Sequence, residues 1–157
     1  MAEEKKLAII STKGTLDWAY PPFILASTAA ALGYETQIFF TFYGLDLLKK
    51  DMSDIKVSPL GNPAMPMPMP IPNLVQVLPG MEAMATSMMK KKMKAKGVAS
   101  LEDLRDLCVE AEVTLIACQM TVDLFDYSPD QFIDGIDFGG AATFFEFAGE
   151  SDISLFI

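Results

Sequence analysis

The sequence predicts an α/β fold: a mostly parallel sheet of about five strands, covered by helices on both faces. Three observations carry this. Short apolar runs alternate with helical patterns along the chain, which is the order of a parallel sheet with crossover helices. The first run, Lys6 to Ser11, is apolar at consecutive positions, as a strand buried on both faces should be. The chain has 157 residues, half of them apolar, which is enough to bury a core without a disulfide or a metal. We expect a single domain over residues 1–157, with a Pro/Met-rich excursion at about 59–80.

The elements follow in order. After the first strand, Thr12-Lys13-Gly14-Thr15 is a turn, and Thr15 or Asp17 is positioned to cap a helix from about Asp17 to Leu32. Pro21 and Pro22 restrict its first turn, and Gly33 stops it. Glu35 to Thr41 is the second strand, and Leu45 to Lys50 a short helix. From Pro59 to Pro79 the chain turns rich in proline and methionine. Prolines 66, 68, 70 and 72 remove every second backbone donor, which favours an extended or edge segment.

Met81 to Lys96 is helical, with Met81, Met84, Met88 and either Ala85 or Met89 on one face. Lysines 90, 91, 92, 94 and 96 crowd its C-terminal end, where the helix dipole favours cations. Ser100 and Asp103 form the pattern of a capping box before a helix whose apolar face holds Leu101, Leu104, Cys108 and Ala111. Val113 to Ala117 is the third strand, and Cys118 sits at its C-terminal end. A short helix or turn (Gln119 to Tyr127) follows, then a turn from Ser128 to Ile133 and a brief strand at Ile136–Phe138. Gly139-Gly140 leads into a helix to about Phe147, and Ile153 to Ile157 is the last strand.

The composition excludes several chemistries. There is no histidine, so no Ser-His-Asp triad, Cys-His dyad or histidine metal site forms within the chain. The net charge of −9 argues against general nucleic-acid binding. No basic leader followed by an apolar stretch opens the chain, and no apolar run reaches membrane-spanning length. We expect a cytoplasmic protein with reduced thiols, no cofactor and no metal.

Sites in open parallel sheets lie beyond the carboxyl ends of the strands. Lys13-Gly14, Cys118 with Gln119, and Gly139-Gly140 all fall there. Cys118 has two readings: a small core residue ending an apolar strand, or a thiolate stabilised by the amides that open the next helix. A thiolate with amide donors and no histidine suits sulfur exchange better than hydrolysis. Lys13 and Gly14 could hold an anion at a helix start, although the phosphate-loop pattern is incomplete.

Cys108 reads as core packing. About three residues of helix and five of strand separate it from Cys118, which leaves the sulfurs on the order of 10 Å apart along the strand axis, beyond disulfide reach. The Met-Pro segment reads as a lid or subunit contact, with a soft-metal site as the alternative. Its apolar character favours an oligomer. The exposed lysines 90, 91 and 92 read as a solvated helix end, with contact to an anionic membrane surface as the alternative. Asp123, Asp126, Asp130, Asp134 and Asp137 read as caps and surface charge.

The runs MMKKKMKAKGVASLEDLRDLCVEAEVTLIACQMTVDLF and FIDGIDFGGAATFFEFA resemble the DsrE/DsrF-like family, in the DsrE-related branch often labelled peroxiredoxin-like. The most specific parts are Ala117-Cys118-Gln119-Met120 and Phe138-Gly139-Gly140-Ala141. The resemblance implies a three-layer α/β/α sandwich. It also implies homo- or hetero-oligomers, and a cysteine that carries persulfide sulfur between donor and acceptor proteins. The matching cysteine is Cys118. Some relatives in this branch have a second cysteine, for which Cys108 is the candidate here. A peroxidatic cysteine needs a nearby arginine. The only one in the chain, Arg105, falls on the helix before the third strand, so the resemblance points away from peroxide reduction. The competing reading is a non-enzymatic oligomeric scaffold that docks through the lysine-rich helix.

Overall fold

A computed structural model of the chain describes residues 4–58 and 73–157. Five strands form one all-parallel sheet: β1 (Lys6–Ser11), β2 (Glu35–Phe40), β3 (Thr114–Cys118), β4 (Asp137–Gly139) and β5 (Ile153–Phe156). Their order across the sheet is β4-β3-β2-β1-β5. The helices are α1 (Leu16–Ala31), α2 (Asn73–Gln76), α3 (Met81–Ala95), α4 (Leu101–Glu110), α5 (Gln119–Leu124) and α6 (Ala141–Ala148). Short 3₁₀ segments cover Phe42–Leu48 and Pro129–Gln131.

Strand alternation divides the core in two. Leu7, Ile9, Ile38, Phe40, Leu115 and Ala117 face α1 and α4, and meet Phe23, Ala26 and Cys108. Ala8, Phe39, Ile116 and Cys118 face the opposite way and meet Phe144 of α6. Helices therefore lie on both faces of the parallel sheet, the α/β architecture expected. The capping box before α4 is present: Ser100 Oγ accepts from the Asp103 amide at 3.1 Å and Asp103 accepts from the Ser100 amide.

Several local expectations are corrected. The predicted helix at Leu45–Lys50 is a 3₁₀ segment that starts earlier, at Phe42. Pro21 and Pro22 fall beyond the first turn of α1, inside the helix. It runs through them with two backbone donors missing, and Pro22 is buried. In α3, Ala85 and Met89 pack against the core and Thr86 is buried, while Met84 and Met88 are exposed. The Thr86 hydroxyl explains this register, since it accepts from the Val57 amide at 3.0 Å and donates to the Glu82 carbonyl.

In α4 the buried residues are Leu101, Arg105 and Cys108, while Ala111, expected on the apolar face, is exposed. The Arg105 guanidinium donates to the carbonyls of Leu47 (3.2 Å) and Lys49 (2.6 Å), so the charge is enclosed with acceptors supplied by the 3₁₀ segment. The prolines of the Pro/Met-rich stretch lie outside the described residues, apart from Pro79. Its later part, Asn73–Gln76, is helical where an extended segment was expected, and contains no proline.

Candidate functional site around Cys118

Cys118 ends β3 and is the N-cap residue of α5, with extended backbone (φ −65°, ψ 110°). The parallel registers decide its neighbours. Phe40 pairs with Ala117, so Thr41, the next residue, is carried to the side of Cys118. On the other side Cys118 pairs with Gly139. The side chain lies in the core cluster with Ala8, Phe39, Ile116 and Phe144, and the residue is 5% exposed.

Two opposing effects act on the thiol. Burial pushes its pKa up. The hydroxyl and amide of Thr121, the hydroxyl of Thr41 and the amide of Met120 all favour the thiolate, and together they outweigh burial, so the pKa lies below the ordinary cysteine value. The amides are those of the second and third residues of α5, the groups an N-cap side chain faces. The neutral thiol forms no capping hydrogen bond; the arrangement suits the anion.

Thr121 is wholly buried. Its Oγ1 accepts from the Phe42 amide at 3.2 Å and lies 3.2 Å from Thr41 Oγ1. Phe42 holds a left-handed backbone (φ 49°), uncommon for a residue with a side chain. The 3₁₀ segment is further tied to α5 by rings: Tyr43 stacks on Phe125 (centroids 6.0 Å apart) and Phe42 meets the same ring edge-on at 6.3 Å. Neither threonine carries a sequence signature. The signal available was position alone, since Thr41 directly follows a strand at the sheet edge where sites form.

Cys108 differs at every point. It is fully enclosed on the α1/α4 side of the sheet, its Sγ donates to the Phe23 carbonyl at 3.4 Å, and burial pushes its pKa up to about 11. The two cysteines face opposite sides of the sheet, and both are free thiols.

The remaining sequence candidates divide. Gly139 is beside Cys118, and a Cβ there would press on Thr143 (2.8 Å to its Oγ1). Gly140 borders open space. Gln119 is exposed and donates to Asp123 at 2.8 Å. Lys13 and Gly14 belong elsewhere. They line a cleft of about 500 Å³ with Trp18, Tyr43, Asp46 and Lys56, and Cys118 is not among its lining residues. Lys13 Nζ sits 3.2 Å from the centre of the Trp18 ring, and Gly14 is packed beneath the Tyr43 carbonyl. Lys90, Lys91 and Lys92 lie exposed on α3. Arg105 is committed to the Leu47 and Lys49 carbonyls. Among the described residues no helix is long and apolar enough to cross a membrane.

Comparison with known proteins gives the chain's family. Over residues 3–156 the chain matches the model of the DsrE/DsrF/DrsH-like family. It is 70% identical over 159 aligned positions to the sulfur carrier protein DsrE2 of Allochromatium vinosum, covering 99% of both chains. It is 31% identical to the uncharacterised protein YrkE of Bacillus subtilis, covering 99% of this chain and 98% of that one. Among solved structures it resembles the ychN protein of E. coli in fold, with a TM-score of 0.56 at 11% identity, over 98% of this chain and 99% of that one. This chain belongs to the DsrE/DsrF/DrsH-like family.

Proposed function

We propose that the protein is a sulfur carrier that holds persulfide sulfur on Cys118 and passes it between partner proteins in a reducing, cytoplasmic setting. The observation that carries this is the 70% identity, over nearly the whole of both chains, to a protein named as a sulfur carrier. The geometry supports Cys118 as the bearer. Its thiol is shifted toward the thiolate, the reactive form in sulfur exchange. Gly139 pairs with Cys118 and Gly140 borders open space, so the approach at this flank is free of a side chain at Gly140.

In loading, the Cys118 thiolate attacks the outer sulfur of a donor persulfide. A new S–S bond forms, the donor's S–S bond breaks, and the donor leaves as its thiolate. Unloading is the same displacement by an acceptor thiolate, with Cys118 now the leaving group. Neither step changes the overall oxidation state. Gln119, Gly139 and Gly140 border the exchanging sulfur in this reading. Lys13 and Gly14 would serve a separate anion site. We expect incubation with a persulfide donor to add the mass of one sulfur to the peptide bearing Cys118. Cys108→Ser should retain the gain and Cys118→Ser should lose it. A gain that survives Cys118→Ser would refute the assignment.

A second reading has its own observation. Lys90, Lys91 and Lys92 are exposed on a helix that also exposes Met84 and Met88, beside exposed Leu74, Val77 and Leu78. Apolar side chains flanked by lysines suit contact with an anionic bilayer. Co-sedimentation with phosphatidylserine vesicles should then fall when the three lysines become glutamate. Equal sedimentation of both forms would sink this reading.

A further inference from the structure

We propose that Thr121, oriented by Thr41 and the Phe42 amide, is the hydroxyl donor to the Cys118 sulfur during sulfur exchange. The chemistry rests on the sulfur-carrier reading. The geometry stands apart from it.

A threonine hydroxyl has one proton to give and two lone pairs to receive. Thr121 Oγ1 already receives the Phe42 N–H at 3.2 Å. Its second neighbour is Thr41 Oγ1, also at 3.2 Å. Two hydroxyls joined by one hydrogen bond use one proton between them and keep one over. If Thr41 donates, Thr121 has both lone pairs engaged and its own proton is directed outward. If Thr121 donates, the spare proton belongs to Thr41. Thr121 is the third residue of the helix that Cys118 caps, and the β2–β3 register carries Thr41 beside Cys118, so either way the spare proton belongs to a hydroxyl next to that cysteine. The Phe42 amide strengthens Thr121 as a donor, because an oxygen already receiving one hydrogen bond gives its own proton more readily.

The Met120 and Thr121 amides also serve the sulfur, but no charged group among the described residues does. The core neighbours of the sulfur are Ala8, Phe39, Ile116 and Phe144. The ionisable groups on the elements packed around it are Asp123 of α5, Asp137 of β4 and Glu146 of α6, all exposed, and Asp46 of the 3₁₀ segment, which pairs with Lys49 and receives the Tyr127 hydroxyl. No histidine exists in the chain. The left-handed backbone of Phe42 gains a reason, since it aims the amide that fixes Thr121, and strained residues persist where the surrounding structure demands them.

A carrier gains twice from such a donor. In loading, the hydroxyl raises the share of thiolate that attacks. In unloading, Cys118 is the leaving group and its sulfur takes the electron pair of the broken S–S bond. A donor on that sulfur eases its departure, because thiols that ionise readily leave faster.

The test is the pH profile of iodoacetamide reaction at Cys118 on the full chain, followed by peptide mass spectrometry, which separates it from Cys108. Thr121→Val should raise the midpoint and slow the reaction at pH 7 about tenfold, the scale of one hydrogen bond to a charged group. Thr121→Ser should restore the wild-type profile. Thr41→Val should raise the midpoint less, and adding it to Thr121→Val should change little more. A folded Thr121→Val with a wild-type midpoint overturns the proposal, as does a Thr121→Ser as impaired as the valine. If Thr121→Val does not fold, Thr41→Val decides: an unchanged midpoint overturns the proposal and a raised one supports it. A wild-type protein that shows the low midpoint but takes up no sulfur would sink the carrier reading and leave the hydroxyl donor standing.

Discussion

Cys108 donates its thiol to the Phe23 carbonyl from a fully enclosed position, and ionising it there would strand a charge among apolar side chains. Burial accordingly pushes its pKa to about 11, above the ordinary cysteine value of 9.0. That difference couples folding to pH. Between about 9 and about 11 the unfolded chain has released this proton while the folded chain still holds it. Stability from Cys108 is therefore fully present below about pH 9 and is lost as pH rises toward about 11. Urea unfolding at pH 8 and pH 10.5 should show a smaller drop in Cys108→Ala than in the wild type. Equal drops would remove Cys108 from the account. Cys118 has the opposite sign. Its folded pKa is depressed, so its contribution grows with pH up to about 9, the ordinary cysteine value. One chain thus holds an inert thiol and a poised one, and their surroundings distinguish them.

The junction between β4 and α6 shows how an element sets the site. Gly139 pairs with Cys118, and a Cβ at this position would sit 2.8 Å from Thr143 Oγ1 and 3.0 Å from its Cβ. Gly140 has extended backbone that any residue adopts (φ −105°, ψ −171°) and no atom within 4 Å of a Cβ. Gly139→Ala should cost about 1–3 kcal/mol by overpacking, and Gly140→Ala should fall within about 0.5 kcal/mol of wild type. Urea melts of both variants check this, and equal costs would mean that the close approach to Thr143 is not what requires glycine. Sequence reasoning reached this pair because glycines at a strand end are visible in one dimension. It reached Cys118, the capping box of α4 and every strand for the same reason: each depends on residues close together in the chain. Thr41 and Thr121 were not legible, because the β2–β3 register joins residues far apart in sequence. Arg105 was not legible either. A hydrophobic pattern reads a buried position as apolar and cannot anticipate that two carbonyls of a 3₁₀ segment will satisfy a guanidinium there.

At the scale of the molecule, charge is divided along the chain. All 12 lysines and arginines lie at or before Arg105, and residues 106–157 carry acidic groups alone. That acidic stretch includes β3, which Cys118 ends, with α5, β4, α6 and β5, and it exposes Asp123, Asp126, Asp130, Asp134 and Asp137. Five lysines of the α3 region (Lys90, Lys91, Lys92, Lys94 and Lys96) are the densest positive run in the sequence. Charges of one sign around a cleft alter the local concentration of a charged reagent, and salt screens the effect over a Debye length of about 8–10 Å. We expect a negative reagent approaching Cys118 to be repelled at low salt, and a neutral one of the same size not to be. The comparison to make is iodoacetate against iodoacetamide at fixed pH. The rate ratio at Cys118, corrected for the same ratio on a free thiol such as cysteine, should be well below one at 10 mM salt and should climb toward one at 500 mM. A corrected ratio independent of salt would show that the acidic stretch does not act at the sulfur. The expected dependence has a direct reading for the carrier: small anionic sulfur compounds would be poor donors in dilute buffer, and a partner protein would deliver sulfur best if it presented a positive surface around its own reactive thiol.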